Sequence, residues 1–72
     1  MKDIIEMLNR KRSQLESDYQ FHLDWIQRMV NDPNDVKAIT FEQNMIIHLT
    51  EMNTIKSRLR EVNDQLMVLS LQ

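Results

Sequence analysis

At 72 residues the chain holds one domain at most, and a core of that size is marginal without a disulfide, a metal or a partner. Cysteine is absent, which excludes disulfides and thiolate zinc sites, and two histidines, His22 and His48, do not close a structural metal site by themselves. The net charge of −2 favours no polyanion globally, and a sequence with no glycine and one proline is poor material for tight turns and phosphate-cradling loops but suits long helices. Met1-Lys2-Asp3 leads into no long apolar stretch and no small-residue cleavage site, so no signal peptide is expected. No apolar run approaches the length of a membrane span, and the expected location is cytoplasmic.

The first predicted element is a helix over residues 3–30. Asn31-Asp32-Pro33-Asn34-Asp35 is the one strong punctuation and predicts a turn over 31–34. Asn31 tolerates the left-handed geometry that ends helices. Asp32 can cap the next helix, Pro33 falls at its first position where the missing N–H costs nothing, and Asp35 suits the dipole of its first turn. A second helix is predicted over 33–70, and the short connection makes the two antiparallel neighbours. Thr40 with Gln43 has the spacing of a capping box, so a rival start for the second helix lies there.

Steps of four and three residues give a seam on each helix. The first carries Met1, Ile5, Leu8, Arg12, Leu15, Tyr19, His22, Ile26 and Met29. The second carries Ala38, Phe41, Met45, His48, Met52, Ile55, Leu59, Val62, Leu66 and Leu69. Folded about the turn, one alignment satisfies every layer: Met29 meets Ala38, His22 meets Met45, Tyr19 meets His48, Leu15 meets Met52, Leu8 meets Leu59 and Met1 meets Leu66. Leu69 and Leu71 then overhang. The predicted fold class is all-α: a single domain over 1–72, a two-helix antiparallel coiled-coil hairpin completed by partner helices.

Several apolar residues lie off the seam. Ile4, Met7, Phe21, Trp25, Ile47 and Val68 fall on one flank, and Leu23, Val30, Ile46 and Leu49 on the other. Phe21 and Trp25 are four apart and share a face, and buried aromatics dominate interface energies, so Trp25 is the expected anchor. Isolated apolar residues are common on surfaces, but clusters on two flanks point to a protein partner with helices, to self-association, or to both. Lys11 should face Arg58, and Asp18 should face Glu51, two like-charge layers one heptad apart that a second molecule could pair in opposite sense.

Arg12, Tyr19, His22 and His48 form a polar core layer. It reads first as a register-fixing device and second as a pH-sensitive one. Arg12 either keeps its guanidinium wet above a buried stem or meets a partner's carboxylate. Arg10, Lys11, Arg12, Lys56, Arg58 and Arg60 make a band around the hairpin of the kind a four-helix RNA-binding dimer lays on phosphates, as in plasmid copy-number regulators. No aromatic interleaves with it and Glu6, Glu16, Glu61 and Asp64 flank it, so a solvated face is the better reading. No nucleophile–base constellation is visible, and no enzyme activity, cofactor or metal is expected.

The length, the two long helices, and the Asp32-Pro33 turn leading into Val36, Phe41 and Ile46-Ile47 resemble the small helical-hairpin subunit of type III secretion needle-protein chaperones. The resemblance implies a co-chaperone that works with a larger helical-repeat partner to hold an aggregation-prone subunit. An RNA-binding four-helix dimer and a small virus-encoded inhibitor of a host protein's helix-binding groove are the alternatives.

Overall fold

The computed structural model describes residues 2–31 and 38–71. Helix α1 runs Lys2–Asn31 and helix α2 runs Ala38–Ser70, and the described residues contain no strand. Neither helix holds a glycine or proline that would interrupt its ladder. Asp3 in the first turn of α1 and Arg28 in its last turn complement the helix dipole. At the end of α2 the Leu71 N–H donates to the Val68 carbonyl at 3.2 Å and the Ser70 hydroxyl donates to the Met67 carbonyl at 2.7 Å, satisfying acceptors that a helix end leaves unpaired.

The helices lie side by side and antiparallel, which gives extents of 53 × 14 × 14 Å. A 33-residue helix alone is about 50 Å long, so the molecule is one helix long and two helices wide. Its buried core is thin: Leu8, Leu15 and Met29 from α1, and Met52, Ile55 and Val62 from α2. Tyr19, Leu59, Leu66 and Leu69 pack against it half-buried. Leu8, Leu15, His22 and Met29 are spaced by sevens, as are His48, Ile55, Val62 and Leu69. The histidines therefore occupy one slot in the best-packed series of each helix.

The all-α two-helix hairpin agrees with expectation, and several details differ from it. The His22 and His48 side chains touch each other, whereas the expected alignment set His22 against Met45 and Tyr19 against His48; by that contact α2 is advanced by three residues, one seam position. The slide is cheap because it maps one apolar seam position onto the next. It also brings Leu69 level with the start of α1, where it packs on the core instead of overhanging, while Leu71 stays 82% exposed. Asn31 is helical, and no described residue has positive φ, so the left-handed ending expected at Asn31 is not adopted. Thr40 sits inside a helix already begun at Ala38 and is no N-cap. The predicted turn beyond Asn31, the cap at Asp32, Pro33, Asp35 and the start of the second helix over 33–37 lie outside the described residues, as do Met1 and its layer with Leu66. The side chain of Ala38, predicted to meet Met29, is likewise outside them.

Candidate functional site

Two imidazoles interrupt the apolar seam. The Nδ1 atoms of His22 and His48 are 2.8 Å apart and the ring centroids 5.1 Å apart, so one ring donates its N–H and the other accepts. The pair is continuous with the aromatic flank: Trp25 stacks on His48 at 6.1 Å with 11° between planes, and Phe21 meets His22 edge-on at 5.4 Å. Burial, and secondarily the neighbouring His22, hold the His48 pKa below its ordinary 6.5. The other two members of the expected polar layer make contacts of their own. Tyr19 is half-buried with the Lys56 ammonium 5.9 Å from its ring centroid. Arg12 keeps its head partly wet within its own helix, donating to Asn9 Oδ1 at 3.0 Å with Glu16 at 3.9 Å.

The expected partner-binding residues divide by exposure. Phe21, Trp25 and Ile47 on one flank, and Val30, Ile46 and Leu49 on the other, are all exposed; Trp25 is the least so at 43%. Leu23 is half-buried at the rim of the seam and contributes less surface than expected. Phe21, Trp25, Met29, Asn44 and His48 line an open groove of about 270 Å³ between the helices. At the far end of the same flank, Ile4, Met7, Leu8, Val68 and Leu69, with Asp64 and Gln65 at the edge, line a second groove of about 480 Å³. Sequence reasoning placed Ile4, Met7 and Val68 on this flank but did not single them out. Met67, 58% exposed, was missed, although it lies three heptads from Ile46 and so shares its helix face.

The six basic residues do not gather on one face. Consecutive Arg10, Lys11 and Arg12 fan outward around α1, Lys56 is engaged over Tyr19, and Arg12 is engaged by Asn9 and Glu16. Among the described residues no group of three or more His, Cys, Asp or Glu is gathered to hold a metal ion. Neither helix is long and apolar enough to cross a membrane.

Fold and site together define an all-α two-helix hairpin with a thin core, a buried-edge histidine pair and apolar flanks turned to solvent. No protein-family model, curated protein or solved structure matches the chain.

Proposed function

We propose that this chain is a non-catalytic, protein-binding helical hairpin: a co-chaperone or adaptor subunit, like the small subunits of needle-protein chaperones, that packs against partner helices through its apolar flanks. The observation that carries this reading is the surface left over after folding. A compact monomer of 8.7 kDa exposes about 4,700 Å² by the usual size scaling, whereas this chain exposes 5874 Å². The excess of about 1,100 Å² is larger than the roughly 800 Å² that each partner contributes to a standard interface. Much of it is large and apolar, including Phe21, Ile46, Ile47, Met67 and Val68, all more than half exposed. Lone surface apolar residues need no explanation, but contiguous flanks of this kind mark interaction sites.

Tagged protein recovered from its native host and weighed in its native state should carry a helical partner or a further copy. Replacing Phe21 and Trp25 by Asp should reduce it to the single-chain mass while circular dichroism stays helical. An unchanged associated mass would refute the interface. The RNA reading has less support, because two of the six band cations already have partners within the chain.

A further inference from the structure

The geometry points to a second copy of this chain as the occupant of the Phe21–Trp25 flank, seated antiparallel about a two-fold axis that crosses α1 between Gln14 and Leu15. The inference rests on the partner-binding reading above and names the partner. Its basis is the order of side chains along the flank. At one end is the apolar groove of Ile4, Met7 and Val68, and at the other is the groove of Phe21 and Trp25 with Ile47 beside it. Between them lie two charged layers, with Glu61, one heptad from Val68, on the same face at the edge of the basic one. The His22–His48 contact sets the level of the helices. Counting back from it, Lys11 falls within one residue of Arg58, and Asp18 within one residue of Glu51. The basic layer is next to the Ile4 groove, and the acidic layer is next to the Trp25 groove. Gln14 donates to Asp18 at 3.0 Å, which leaves the carboxylate room for further donors.

A flank ordered apolar, basic, acidic, apolar is complementary to itself when turned end for end. Helix α1 then faces α1 of the other copy. Ile4 comes level with Trp25, Met7 with Phe21 to within a residue, and Lys11 with Asp18. On α2, Arg58 and Glu51 of opposite copies meet to within about one turn. Such a contact is isologous and closes at two chains. The other two-fold arrangement, with the axis along the hairpin, sets Lys11 against Arg58 and Asp18 against Glu51, like charge on like. The charge order therefore favours the antiparallel pair. The surface left over by the lone hairpin is enough for one standard interface of this kind. The opposite flank, with Val30, Ile46 and Leu49, stays open to a different protein.

Sedimentation of the purified full chain over a range of concentrations should give a dimer that weakens with added salt. Lys11→Glu with Arg58→Glu makes both layers acidic, and Asp18→Lys with Glu51→Lys makes both basic; each variant should dimerise about tenfold or more weakly than wild type. Mixed one to one, the two variants should restore association as a heterodimer, because every layer again meets its opposite. A dimer indifferent to these reversals, or a mixture that stays apart, would overturn the antiparallel flank. A wild-type chain that is monomeric and poorly helical at every concentration would overturn self-pairing while leaving the need for a foreign partner intact. A monomer that is fully helical and unfolds cooperatively at high dilution would overturn both.

Discussion

Two imidazoles joined through Nδ1 atoms at 2.8 Å share one hydrogen, one ring donating and the other accepting. The pair sits beside Trp25 and Phe21. Burial is the larger cause of the lowered His48 pKa and the neighbouring His22 the smaller. A folded-state pKa below the unfolded value means that the unfolded chain binds more protons on acidification. The associated stability is whole above the unfolded value of 6.5 and drains away as pH falls from there through the lower folded value. Thermal unfolding should accordingly show a lower midpoint at about pH 5 than at about pH 7.5. His48→Leu should flatten that part of the dependence while packing in the slot between Ile55 and the turn end of α2. An equal acid response in this variant would assign the effect to carboxylates elsewhere. Both histidines were legible as seam residues from their spacing alone. Their direct contact was not, because periodicity places a side chain on a face and leaves its neighbour across the seam unspecified.

At the scale of the helices, patterning is unequal. Helix α1 is the more one-sided, with Leu8, Leu15 and Met29 buried, although Ile4, Met7, Phe21, Trp25 and Val30 are exposed on its flanks. Helix α2 spreads its apolar residues further round, and Ile46, Ile47, Leu49, Met67 and Val68 are all exposed on it. On the proposed reading, further helices cover the apolar sides of α2 that α1 leaves open. The alignment of the two helices can be checked covalently, since the chain contains no cysteine of its own. His22→Cys with His48→Cys should be closed readily by a short bifunctional thiol cross-linker, because the two side chains already face each other. His22→Cys with Met45→Cys should close more slowly and to lower yield. Free-thiol titration and mobility on a non-reducing gel distinguish the two, and preferential closure of the Met45 pair would restore the unshifted alignment.

The molecule as a whole is a rod. Its radius of gyration is 16.2 Å, against about 11 Å for a compact domain of the same length. A rod two helices wide has no interior beyond its single seam, and the absence of cysteine removes the staple that small domains otherwise use. On the proposed reading association contributes to stability, and whatever binds only the folded state raises the unfolding midpoint by mass action. The midpoint of the wild-type chain should climb by several degrees across a hundredfold rise in concentration, in line with the roughly 2.7 kcal/mol that such a rise contributes at saturation. A midpoint independent of concentration would assign the missing stability to a foreign partner or to the hairpin alone.

The order of residues by itself determined that there are two long helices and which faces they bury. Hydrophobic spacing and helix propensity are local, and nothing in the chain contradicts them. Seam residues such as Leu8, Leu15, Ile55 and Val62, and flank residues such as Phe21 and Trp25, could be read off directly. Only the tertiary structure decided how far one helix slides along the other. Two seams with the same spacing fit nearly as well when displaced by one step, since each step exchanges one apolar neighbour for another. That near-degeneracy is broken by directional contacts, the shared hydrogen of His22 and His48 and the stacking of Trp25 on His48, which exist at one alignment and at no other.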